Sequence, residues 1–304
     1  MENSEMQTIC VAGLPMLASG VHGTVFLLAK DRILKLYRPE ISPQQVAMEA
    51  RLSEEAFRRG VPTAAVYGTA RCGDRFGIVF ERICGDTLGH AIAADPKKAV
   101  SCAGQYAALV RKLHAIRIQD GFFPDLRAEL KRKLSLLEPF CTESDLRLLE
   151  DLIACLPKAD SLLHGDLHPG NIMVRDGELL IIDLPEMTRG SPLWDAAAIY
   201  RDLIIGPMFP TEALEKSIGM PAPLITRTGR AFFAAYTDLA GEALEKYLNS
   251  LLPLYGMNTV FTVGATDDRD AESCRQLLPM LMTEAIRKHE DSLRTMLMGN
   301  KKGE

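Results

Sequence analysis

The chain has 304 residues, 47% of them hydrophobic and 25% charged, with 17 Pro and 23 Gly; this balance excludes disordered and collagen-like classes and supplies a real core. The length predicts one core in two lobes, or two modest domains. The net charge of −5 divides as +1 over residues 1–84, −4 over 85–204 and −2 over 205–304, so no segment carries the basic surplus of a nucleic-acid binder.

In chain order, Ile9 to Val21 is apolar, yet the residues before it include Glu2 and Glu5 and no Lys or Arg, so it is not read as a signal peptide. No run reaches the roughly 18 apolar residues of a membrane span. The first 84 residues then alternate in short β-like runs. Thr24–Ala29 and Ile33–Tyr37 flank Lys30-Asp31-Arg32 as a hairpin, and Val66–Ala70 and Phe76–Phe80 flank Arg71 to Arg75 as another. Between them, Ser42-Pro43 reads as a helix N-cap followed by Pro at the first helical position, and Gly60 and Pro62 stop that helix.

The period changes near Cys84-Gly85, which places a boundary between residues 1–84 and 85–304. Cys102, Tyr106, Leu109, Val110, Leu113 and Ile116 recur at helical spacing and predict a helix over about 96–117, with shorter ones over about 125–138 and 143–156. Ile172–Val174 and Leu179–Ile182 flank Asp176-Gly177 as a tight hairpin. The last hundred residues predict helices at about 211–218, 228–250 and 271–297. Seven cysteines (10, 72, 84, 102, 141, 155, 274) form no CxxC pair and read as reduced core thiols of a cytoplasmic protein.

The most informative stretch is His164-Gly165-Asp166-Leu167-His168-Pro169-Gly170-Asn171, followed after the hairpin by Ile181-Ile182-Asp183. Gly165 and Pro169-Gly170 disfavour regular structure, so polar side chains sit on a loop between apolar elements. An Asp, an Asn five positions on and an Asp at the hairpin's end can converge two carboxylates and an amide oxygen. Such a set can orient a hydroxyl and coordinate Mg²⁺, a hard cation that prefers oxygen ligands.

The pattern H-G-D-x-x-x-x-N followed by I-I-D resembles the catalytic and metal-binding loops of the aminoglycoside phosphotransferase and choline kinase group, within the protein-kinase-like fold. Upstream, Ala18-Ser19-Gly20-Val21-His22-Gly23-Thr24-Val25 keeps two glycines and the final Val of a kinase Gly-rich loop. Lys35 lies mid-strand among apolar residues, where a charge needs a partner. The resemblance makes it the lysine that contacts the ATP phosphates, and implies a Glu on the following helix to pair with it. Glu49 is the choice, with Glu54 and Glu55 left open. Glu81 and Ile83, in Ile78–Gly85, resemble the hinge that holds adenine through backbone groups. Gly190–Asp195 is similar to the segment whose Asp braces the catalytic loop from a helix start.

The resemblance runs over about residues 16–204. It implies a two-lobed α+β fold, with a five-stranded antiparallel sheet and one helix to residue 84 and a mainly α-helical lobe after it. It also implies ATP- and Mg²⁺-dependent transfer of a γ-phosphate to a hydroxyl of a small molecule. Asp166 is then the catalytic residue, Gly20, Gly23, Lys35, Glu49, Glu81 and Ile83 hold the nucleotide, and Asn171 and Asp183 hold the metal. No nucleic acid and no membrane is expected as partner.

The chain departs from protein kinases in Ala18 for the first loop glycine, Asp183-Leu184-Pro185 for D-F-G, and His168 two positions after Asp166. The last two favour a small-molecule acceptor. Read singly, each residue also has an ordinary role: Asp166 and Asn171 as turn residues, Asp183 as a strand-end cap, Lys35 snorkelling and Glu49 solvated. A nucleotide-binding pseudokinase and an atypical protein kinase are the rival readings. His164 and His168 suggest zinc by their H-x-x-x-H spacing, but Gly165 stands where a metalloprotease needs Glu and Pro169-Gly170 breaks the helix. His164 reads as structural and His114 as packed or capping near a helix C-terminus.

Overall fold

The computed structural model describes residues 6–20, 23–264 and 276–298. The chain divides into two compact units, Met1–Leu88 with Asn171–Pro185, and Gly89–Gly170 with Glu186–Glu304.

The first unit is built on strands β1 (Gln7–Thr8), β2 (Met16–Ser19), β3 (Gly23–Ala29), β4 (Arg32–Tyr37), β5 (Val66–Cys72) and β6 (Arg75–Glu81), with helix α1 (Pro43–Arg58). They form one sheet in the order β1-β5-β6-β4-β3-β2. Five antiparallel strands are predicted; the sheet has six and is mixed, because β1 joins the edge parallel to β5. A two-residue strand is too short to show alternation, so the sequence hides it.

Alternation sorts β4 onto two faces. Leu34 and Leu36 pack with Ala70 and Val79 on one face, while Tyr37 and Ile78 pack on the other against Val46 and Ala50 of α1. Lys35 shares parity with Tyr37 and is therefore carried on the face that α1 covers. The helix starts as its sequence indicates: Ser42 Oγ accepts from Gln45 N, Gln45 caps Ser42 in return, and Pro43 occupies the first turn.

Strands β7 (Ser161–Leu163), β8 (Ile172–Arg175), β9 (Glu178–Ile181) and β10 (Thr188–Gly190) form two further ladders, β7 with β10 and β8 with β9. The β8–β9 hairpin turns through Asp176 (φ 52°) and Gly177 (φ 85°), the paired positive φ of the tight turn that an Asp-Gly sequence favours. It belongs to the first unit, where Ile181 N donates to Pro62 O (2.7 Å) and Val174 N to Asp86 O (2.9 Å).

The second unit holds α2 (Leu88–Ala94), α3 (Ala99–Ala115), α4 (Leu126–Leu137), α5 (Glu143–Cys155), α6 (Leu193–Tyr200), α7 (Glu212–Ile218), α8 (Ala222–Thr237), α9 (Gly241–Gly264) and a helical stretch over 278–298. Its main core joins Leu149, Leu152 and Ile153 of α5 to Trp194, Leu254, Phe261 and Ile286. The single helix predicted over 228–250 is two, parted at Asp238 (φ 57°) and Gly241 (φ 54°). Helix α2 is unanticipated, and α3 begins after a separate turn at Pro96–Lys98. The predicted 271–297 helix lies outside the described residues at 271–275. After α6 the chain winds on through a wider turn at Arg201–Ile205. No helix among the described residues is long and apolar enough to cross a membrane.

Candidate active site

In the first unit, Lys35 Nζ donates to Glu49 Oε1 at 2.8 Å and to Asp183 Oδ1 at 2.7 Å, and lies 5.0 Å from the Tyr37 ring centroid. Glu49 is 4% exposed. The alternatives lie elsewhere: Glu54 is exposed, and Glu55 is engaged with Arg58 and Arg59. Burial would lower the Lys35 pKa, but Asp183 and then Glu49 outweigh it and raise it, so the ammonium is kept charged. Asp183 adopts a left-handed backbone (φ 66°), a conformation costly for a residue with a Cβ and common at functional sites.

The β8–β9 register brings Asn171 and Asp183 to the same open end of the hairpin, since Ile172 pairs with Ile181 and Ile182 N donates to Asn171 O at 2.9 Å. Gly20 and Gly23 bound the β2–β3 bend, with Gly20 N donating to Gly23 O at 2.9 Å; Val21 and His22 between them lie outside the described residues. A Cβ on Gly23 would stand 2.3 Å from Leu36 O, whereas one on Gly20 would meet nothing within 4 Å. Strand packing therefore requires the glycine at 23. Glu81 accepts from Arg175 Nη1 at 2.7 Å and from Ala65 N at 3.2 Å, so its side chain ties β6 to the β8–β9 hairpin. Ile83 follows in the irregular link after β6.

In the second unit, the loop 164–170 is held backbone atom by backbone atom. Asp195, in the first turn of α6 and 0% exposed, accepts from His164 N (2.9 Å) and Gly165 N (2.8 Å). It also accepts from His114 Nε2 (3.0 Å), whose Nδ1 is 2.9 Å from the Tyr236 hydroxyl. Burial pushes the Asp195 carboxyl up, but these donors prevail and hold it below the ordinary value. Tyr106 donates to Leu167 O at 2.6 Å. Asp166 N donates to His164 Nδ1 (3.2 Å) and Gly170 N to His168 Nδ1 (3.1 Å), so each imidazole, when neutral, carries its proton on Nε2.

Asp166 is thus displayed on a fixed loop with its side chain about half exposed. Oδ1 accepts from Arg201 Nη2 at 3.1 Å, and Oδ2 lies 3.8 Å from His168 Nε2. Desolvation opposes ionisation here, but His168, Arg201 and His164 outweigh it and keep the carboxyl below its usual range. Arg201 lies outside the motifs read from the sequence. Its signal was available: a charge following the apolar run Ala196–Tyr200 needs a partner by the same reasoning as Lys35. His114, read as packed or capping near a helix C-terminus, is buried in the last turn of α3 and is also the outer link of the Asp195 brace.

A sheet unit with a lysine between two carboxylates, and a helical unit that fixes a half-exposed Asp on a braced loop, define a protein-kinase-like phosphotransferase. The chain matches the model of the phosphotransferase enzyme family over residues 14–222, and it belongs to that family. Among solved structures it is similar to an ADP-bound aminoglycoside phosphotransferase (17% identity, 88% of this chain and 91% of that one, TM-score 0.57). It is also similar to an amicoumacin kinase in complex with AMP-PNP and Ca²⁺ (15%, 92% and 90%, 0.55). A choline/ethanolamine kinase family protein from Mesorhizobium loti is similar too (19%, 95% and 95%, 0.55). At these identities the likeness is one of fold. No curated protein matches the chain in sequence.

Proposed function

We propose that the enzyme transfers the γ-phosphate of ATP, with Mg²⁺, to a hydroxyl group of a small molecule. The observation that carries this reading is Asp166: a carboxylate kept ionised by its neighbours and displayed on a loop whose backbone is pinned from α3 and α6. Such a group can orient a hydroxyl and accept its proton. Lys35, kept charged by Asp183 and Glu49, supplies a fixed positive charge for phosphate oxygens.

The donor set fits the metal. Asn171 and Asp183 offer an amide and a carboxylate oxygen at one hairpin end, and no group of three or more ligating His, Cys, Asp or Glu side chains occurs among the described residues. Mg²⁺ is commonly held by one or two protein carboxylates, with phosphates and water completing its shell. When bound, it would supply charge neutralisation at the phosphates. The chain's own part is positioning: Glu49 aims Lys35, the Gly20–Gly23 bend and the Glu81–Ile83 link bind the nucleotide, and Asp195 fixes the height of Asp166. The roles are assigned to one reaction by their order in the chain and by family membership.

Acceptor candidates come from the neighbours, whose structures are described with gentamicin, streptomycin and hygromycin B or as choline/ethanolamine kinase-like. Incubating the protein with Mg-ATP and these compounds should yield phosphorylated product from one of them. Asp166→Asn should lower that rate about 10²–10⁴-fold, the usual contribution of a positioned base; an undiminished rate refutes the assignment.

A further inference from the structure

Helix α9 lies beyond the family-matched residues 14–222, yet it reaches Asp166 through one side chain. Asn258 is 1% exposed between buried Met257, Val260 and Phe261, a setting in which an amide is costly unless bonded. Its Oδ1 accepts from Arg201 Nη1 at 3.0 Å, and Thr262 Oγ1, one turn on, accepts from the same Nη1 at 2.9 Å. Across the guanidinium, Asp202 accepts from Nε (2.7 Å) and Nη2 (2.9 Å). The group is planar and rigid, so fixing Nη1 and Nε also fixes Nη2. Nη2 is the atom that meets Asp166 Oδ1 at 3.1 Å.

We propose that Asn258 and Thr262 are positioning residues for phosphoryl transfer: by clamping Arg201 they set the direction in which Asp166 presents its carboxylate to the acceptor hydroxyl. The proposal rests on the reading of Asp166 as the group that orients that hydroxyl. Bidentate pairing with Asp202 alone leaves the guanidinium able to pivot about that pair. The Nη1 bonds remove the pivot, and a 1 Å error at a reacting group is enough to slow transfer strongly.

Turnover with Mg-ATP and whichever of the compounds above is phosphorylated gives one test. Asn258→Ala should lower kcat about tenfold, the equivalent of one lost hydrogen bond, and Thr262→Val somewhat less, with KM for ATP changed less than about twofold. Asn258→Asp, which keeps the acceptor oxygen, should restore most of the rate. The double variant Arg201→Gln/Asn258→Ala should be no slower than Arg201→Gln, because the second change acts through the first.

The second test needs no acceptor. Carboxyl ¹³C NMR of the full chain follows Asp166, identified by the signal lost in Asp166→Asn. This carboxyl is faced by His164 and His168 of its own loop and by Arg201, which has Asp202 beside it. Its titration midpoint should rise in Asn258→Ala and in Thr262→Val. Wild-type kcat and an unmoved Asp166 signal in both variants overturn the positioning role. Full turnover by Asp166→Asn overturns instead the reading of Asp166 on which it rests.

Discussion

Asp195 shows how much one buried carboxylate can organise. Two backbone N–H groups and an imidazole N–H converge on it in a position without solvent. Asp195→Ala would orphan all three donors, and losing one partner of such a buried charged network costs about 3–5 kcal/mol. A lowered unfolding midpoint, measured beside wild-type secondary structure, checks this. The pH dependence has a definite sign. The native Asp195 pKa is depressed, so its stabilisation is complete above the ordinary Asp value near 3.9 and is lost as pH falls through the lower native value. Asp195→Asn should therefore flatten the acid side of the stability–pH curve. Lys35 has the opposite sense: its raised pKa contributes stability that is present below the ordinary lysine value and lost only as pH climbs through the higher native one.

At the scale of elements, what the sequence shows and hides follows from length and periodicity. Helix α1 was legible because Ser42-Pro43 marks its start and Gly60 and Pro62 its end; Ser42→Ala should cost about 1 kcal/mol in chemical denaturation. The hairpin at Asp176-Gly177 was equally plain. By contrast, β1 is two residues long and the α8–α9 break occupies three, Asp238–Ala240, so each is shorter than the period that would reveal it. The candidate residues divide in the same way. Motif residues close in sequence, such as Asp166 and Asn171, were visible, whereas Asn258 and Thr262 reach Asp166 only through Arg201, which the fold brings against α9. Gly170 carries a constraint of the same hidden kind: a Cβ there would stand 1.9 Å from Ser217 O at the end of α7. Gly170→Ala should displace the loop and lower both the unfolding midpoint and turnover, although its φ is ordinary.

For the whole molecule, the first unit is discontinuous in sequence. The β8–β9 hairpin completes it through Ile181 and Val174 backbone bonds and the Arg175–Glu81 pair. A fragment ending at residue 88 should melt at a lower temperature than the same fragment joined by a Gly/Ser linker to residues 171–185; circular dichroism melts of the two would compare them. Binding should stabilise the intact chain as well, by about 2.7 kcal/mol at a hundred times the dissociation constant of a non-hydrolysable ATP analogue with Mg²⁺.

That discontinuity also sets a timetable during synthesis. The ribosome releases the six sheet strands and α1 well before Asp183, an interval of roughly 5–20 s at 5–20 residues per second. Of the two carboxylates that Lys35 meets in the folded chain, Glu49 is synthesised within that first stretch, whereas Asp183 follows only after the 164–170 loop. Lys35 thus gains its second carboxylate partner only after the segment bearing Asp166 has been synthesised.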